Sequence, residues 1–183
     1  MHIRIEEVLN HFAKYRQELR EAVAGVPAKD QAVQPAPESW SVAGVLEHVA
    51  LVETAAAGLL KAKISEGRKA GVGPETETSA VVNLRQVAKV QDRSYRIAAG
   101  EASQPKSNLD PTAALEASER AYDAVRSVVL DADGLALGEI SAPHRVFGSL
   151  NLYEWITFLG SHESRHAAQI REIGAALAGG GGG

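Results

Sequence analysis

Apolar positions along this chain recur with a helical rather than an alternating period. Ile5, Val8, Leu9, Phe12, Tyr15, Leu19 and Val23 fall three or four residues apart, which predicts a helix over about Ile3–Val23 with one buried face. A second stripe, Val42, Val45, Leu46, Val49, Val52, Ala56, Leu59 and Ile64, follows Ser41, a suitable N-cap. It predicts a helix to about Ser65, with Gly67 past its end. Leu84, Val87, Val90 and Ile97 predict a third helix over about Val81–Ala99. Asp110-Pro111 opens a fourth, running to about Leu130 with Leu115, Ala121, Tyr122, Val125 and Val129 inward. Asn151 and Glu154 form a capping box ahead of a last helix reaching Ala178, with Leu152, Ile156, Leu159, Ile170, Ile173 and Leu177 on its apolar face.

The connections read as polar or irregular. Pro27 and Gln34-Pro35-Ala36-Pro37 make a connector, and residues 67–79 form a surface loop rich in Gly, Lys, Thr and Glu. Asp131 to Gly134 stops the fourth helix and lacks the later ligands of a calcium loop. Residues 135–150 contain no convincing strand. The expected architecture is all-α: one helical-bundle domain over 1–178, followed by a flexible Gly tail at 179–183.

Composition narrows the function classes. The 183 residues are 45% hydrophobic and 23% charged, with aromatics at 5%, which suits helices better than sheet. A net charge of −4 gives no basic face, so no nucleic-acid partner is expected. The absence of cysteine removes disulfides, thiolate nucleophiles and Cys-ligated zinc, leaving His and carboxylates as metal ligands. The N-terminus lacks the pattern of a signal peptide, and no apolar run approaches a membrane span. A cytoplasmic protein without membrane contact is therefore expected.

Histidine placement supplies the chemistry. His162 and His166 lie four apart on the last helix, so their side chains stack on one face and can each send a nitrogen to one divalent ion. His48, two turns into the second helix beside its apolar stripe, completes a candidate set if those helices pack together. Three neutral imidazoles suit zinc, nickel or iron, and three protein ligands leave coordination positions open, as in catalytic sites. A bundle with three unmetallated histidines is the plainer alternative. His2 and His11 read as solvent-facing or half-buried polar residues, and His144 has no partner at a metal-binding spacing.

Gln169 falls near the His166 face and is placed to hydrogen-bond a ligand or substrate. Glu163 and Arg165 fall off that face and are expected in surface ion pairs, and Glu47 points away from His48. Asp92 is the candidate acceptor for a ligand histidine's second N–H. Trp40 and Trp155 are expected in the core, with a pocket wall as the alternative.

Two stretches carry a family resemblance. The first is Ser39-Trp40-Ser41-Val42 with Leu46-Glu47-His48-Val49. The second is Phe147 to Trp155, leading into His162-Glu163-Ser164-Arg165-His166-Ala167-Ala168-Gln169-Ile170. In order, spacing and flanks the chain resembles the DinB-like proteins, in which a Trp-Ser helix start precedes one ligand histidine and a His-x-x-x-His motif with a following Gln supplies two more. The resemblance implies a four-helix bundle with an additional short or connecting helix. It also implies a divalent ion held by His48, His162 and His166: zinc or nickel, with iron or manganese as further candidates. Several such proteins are S-transferases using a low-molecular-weight thiol, bacillithiol or mycothiol, and homodimers are common. A small-molecule substrate and a thiol-dependent transferase follow as the first reading. A hydrolase activating water and a non-catalytic metal- or ligand-binding stress protein stand beside it.

Overall fold

The computed structural model describes residues 1–95, 97–106 and 109–179. Its helices are α1 (Ile3–Ala24), α2 (Val42–Lys69), α3 (Leu84–Gln91), α4 (Pro111–Asp131) and α5 (Leu152–Gly179). Local chemistry sets their starts. Ser41 Oγ accepts the Gly44 N–H at 3.1 Å, and Asp110 accepts from Thr112 and Ala113 ahead of Pro111. Asn151 and Glu154 cap each other's backbone N–H at 2.8 and 3.0 Å. His2 caps α1, its Nδ1 accepting from Arg4.

The four long helices associate chiefly as two pairs, α1 with α5 and α2 with α4, and α2 also meets α5. The short α3 lies on α5. The result is the expected all-α bundle with one additional short helix. Gly160 lets α1 and α5 approach closely: a Cβ there would sit 2.7 Å from the His11 ring and 3.2 Å from the Phe12 Cα.

The apolar core has two parts. One gathers Ile5–Phe12, Ala56–Ile64, Tyr122–Val129 and Leu152–Leu159. The other gathers Leu19–Val26, Val42–Val49, Ala114 and Ala167–Ile173. Between them lies a buried polar layer with one residue from each long helix: Arg16, Glu53, Ser118 and Glu163. The Arg16 guanidinium donates to Glu53 Oε2 at 2.7 Å and to Ser118 Oγ at 3.3 Å, forms an ion-pair contact with Glu163, and rests on the Tyr122 ring. Burial pushes both carboxyls upward, and the charge of Glu53 pushes Glu163 further. One guanidinium faces two carboxyls, and their burial favours the neutral form of each, most strongly for Glu163.

Several expectations need correction. Residues 141–151 form a hairpin, with β1 (Ser141–His144) antiparallel to β2 (Gly148–Asn151). Each strand offers one buried side chain, Ala142 or Leu150, too short a pattern to show alternation. Gly148 takes the positive φ that closes the turn.

The third helix stops at Gln91 rather than Ala99. Asp92 Oδ1 accepts from the Ser94 N–H and hydroxyl, a local bond that competes with the helix. Arg165 meanwhile takes the Val90, Asp92 and Tyr95 carbonyls.

α2 runs on to Lys69, and Gly67 lies inside it because the Ile140 side chain packs where a Cβ would stand. That helix is also long and apolar enough to cross a membrane, contrary to the expectation that no run approaches such a span. More than half of its most apolar stretch is buried within the bundle. Of the expected Gly tail, Gly179 closes α5, and 180–183 lie outside the described residues.

Candidate metal centre

The contact between α2 and α5 brings the three singled-out histidines together. His48 enters from the second turn of α2, and His162 and His166 from successive turns of α5. All three are buried. His162 Nε2 lies 3.2 Å from His48 Nε2 and 3.1 Å from His166 Nε2. One ligand atom from each lies within 4.8 Å of the others, and no other group of His, Asp and Glu among the described residues meets this geometry.

The second ring nitrogens decide what the first can do. His48 Nδ1 lies 2.7 Å from the Ser103 carbonyl oxygen, which can only accept, so the proton is on Nδ1 and Nε2 carries a lone pair. His166 Nδ1–H donates to Gln169 Oε1 at 2.9 Å, with the same consequence. His162 Nδ1 has no hydrogen-bond partner among the described residues. A single Nε2 proton on His162 can be directed well at only one of its two neighbours. At least one pair of nitrogens therefore meets lone pair to lone pair, which a shared cation would relieve.

Spacing agrees: nitrogens held tetrahedrally at about 2.0–2.1 Å from zinc stand roughly 3.3 Å apart. Burial holds all three imidazoles below their ordinary range, His166 at about 3, so they are neutral at physiological pH and available as ligands. The donor set fits a divalent ion.

The surroundings differ from expectation in part. Asp92 is not the acceptor for a ligand histidine; its carboxylate serves Ser94, and the acceptors are Ser103 and Gln169. Ser103 acts through its backbone, which no side-chain pattern reveals. Glu163 is not in a surface ion pair but fully buried in the polar layer. Arg165 bonds backbone carbonyls rather than a carboxylate. Glu47 is buried, with Oε1 accepting the Lys106 N–H. Trp155 is buried as expected, its indole N–H on the Ala142 carbonyl. Trp40 is only half-buried, its ring centroid 4.9 Å from that of His48.

The histidines open onto a cavity of about 1200 Å³, walled by Trp40, Phe147, Trp155 and Phe158 and bordered by residues 97–103. His144, which has no partner at a metal-binding spacing, lines it from the end of β1. His2 and His11 stand apart: the first caps α1, and the second donates to the Thr157 carbonyl at 3.0 Å.

The chain is 26% identical over 165 residues to the uncharacterized protein YuaE of Bacillus subtilis (strain 168), covering 88% of this chain and 94% of that protein. No solved structure matches it significantly. The family model of the DinB superfamily matches residues 11–170, spanning all three histidines. The chain belongs to the DinB superfamily.

Proposed function

We propose that this protein is a divalent-metal-dependent S-transferase: His48, His162 and His166 hold the ion, and a small thiol adds to an electrophilic substrate in the adjoining cavity. The observation that carries the reading is the convergence of three Nε2 atoms, two of them fixed as lone pairs by the Ser103 carbonyl and by Gln169. A divalent ion so held supplies a Lewis acid that lowers the pKa of an exchangeable thiol or water.

The chain's own residues divide the remaining work. His48 and His166 are oriented through their Nδ1–H bonds, and the aromatic walls exclude water and bind an apolar body. A thiol is favoured over water by what lines the cavity. Activation of water for hydrolysis commonly calls on a general base. The lining carboxylates among the described residues are exposed Glu38 and Glu172, and Arg93 grips Glu172 with two hydrogen bonds. A thiol has a pKa near 8.5 and needs little such help.

The test begins with metal analysis of protein purified without chelators. About one ion per chain is expected, falling to near zero in His48→Ala. Thiols, including bacillithiol and mycothiol, are then screened against an electrophile such as 1-chloro-2,4-dinitrobenzene. Metal-dependent thioether formation is the expected result. Loaded protein that hydrolyses esters but transfers no thiol would replace the reading with a hydrolase, and an ion without any turnover would leave a binder.

A further inference from the structure

The cavity beside the histidines has a charge pattern unlike that of the whole protein. The chain carries a net charge of −4, yet among the described residues three arginines line the cavity against two carboxylates. Arg93 and Glu172 neutralise each other through hydrogen bonds of 2.7 and 2.5 Å. Arg165 is engaged by three backbone carbonyls. Arg145 differs: it bonds the Ala98 carbonyl, and no carboxylate among the described residues pairs with it.

The neighbouring residue adds a directed neutral donor. His144 Nδ1 accepts the N–H groups of Val146 and Phe147 at 3.1 and 3.2 Å, which leaves the ring proton on Nε2. That Nε2–H has no protein acceptor among the described residues. The imidazole is wedged between aromatic rings, with centroids 4.3 Å from Phe158, 4.8 Å from Trp155 and 5.0 Å from Phe147. His144 and Arg145 thus line one cavity from consecutive positions of the hairpin, beside an apolar wall. A carboxylate has two oxygens for two such donors and a charge for one of them.

We propose that the cavity selects a substrate bearing a carboxylate on an apolar body, the carboxylate held by the Arg145 guanidinium and the His144 Nε2–H. The inference rests on the reading of this cavity as the substrate site of the proposed enzyme and names the substrate class. Arg145 and His144 are then specificity residues, and the three buried histidines take no part in anion recognition.

The experiment compares 3-phenylpropanoate with its neutral analogue 3-phenylpropanamide. Trp40 and Trp155 are the chain's two tryptophans and both line the cavity, so their fluorescence reports occupancy. Titrations use chelator-stripped full-length protein, because a bound cation would itself attract a carboxylate. Failure of the metal assignment therefore leaves this measurement unaffected, and failure here leaves the metal assignment standing. The acid is expected to bind at least about 10-fold tighter than the amide. In Arg145→Met, which keeps the aliphatic stem, the ratio falls to about 2 or below. In His144→Phe, which keeps the ring packing, the acid weakens about 5- to 10-fold. Equal affinities in the wild type, an unchanged ratio in Arg145→Met, or no saturable quenching by the acid at any soluble concentration would each overturn the proposal.

Discussion

The Nδ1–H of His48 donates to the carbonyl oxygen of Ser103, 55 residues further along the chain, at 2.7 Å. One imidazole of the cluster is thereby tied to the segment that borders the cavity. The Ser103 N–H in turn bonds the Gly100 carbonyl at 2.9 Å. Fixing His48 by adding a divalent ion is expected to slow hydrogen exchange of the Ser103 and Gln104 amides about 10-fold. Exchange rates that are the same with and without metal would show that the segment and the cluster are uncoupled.

Gln169 holds His166 from behind, Oε1 accepting from Nδ1 at 2.9 Å. Gln169→Leu removes that acceptor from a half-buried site and is expected to weaken metal affinity about 10- to 100-fold in competition with a chromophoric chelator. Gln169→Glu keeps an acceptor and is expected to retain the affinity. If both variants bind like the wild type, Gln169 has no part in orienting the ligand.

The buried layer predicts an asymmetry between its members. Arg16→Met removes the only counter-charge of the layer from the buried Glu53 carboxylate and is expected to cost about 3–5 kcal/mol in urea unfolding. Burial and the Glu53 charge favour the neutral form of Glu163, so Glu163→Gln is expected to cost less than about 1.5 kcal/mol. A Glu163→Gln loss as large as that of Arg16→Met would mean that Glu163 is ionised in the folded protein.

Acid stability follows from His144. Burial holds its pKa at about 4, against about 6.5 in an unfolded chain. Between those values the unfolded state binds more protons, so stability falls as pH falls through that window. In chelator-treated protein, the drop in unfolding free energy from pH 7 to pH 4.5 is expected to be smaller for His144→Phe than for the wild type. Parallel losses would place the proton uptake elsewhere.

Where one helix carries its own signal, the sequence was explicit. The apolar stripes of the four long helices, the Ser41 and Asp110 caps, and the Asn151–Glu154 box reappear at their predicted places, because each depends on neighbours within a turn, whereas Leu84 and Ile97 of the third stripe are exposed. The three histidines were legible as a set through spacing and family resemblance together. What stayed hidden depends on distant chain. The α3 end is set partly by Arg165, some seventy residues later in sequence. Glu163 looks like a surface residue until α1 brings Arg16 to meet it. His144 looks isolated until a hairpin of four-residue strands turns it towards Phe158 and Trp155.

The layer of Arg16, Glu53, Ser118 and Glu163 divides the bundle's interior into two oily compartments. Sliding any long helix by one turn would strand a polar group in one of them, whereas apolar side chains of similar size could trade places at little loss. The layer thus acts as an alignment key: it gives little net stability and forbids the near-miss arrangements that apolar packing alone would tolerate. A variant with all four positions made apolar should remain helical, yet give doubled or broadened amide resonances, and with them histidines that no longer meet at a single point.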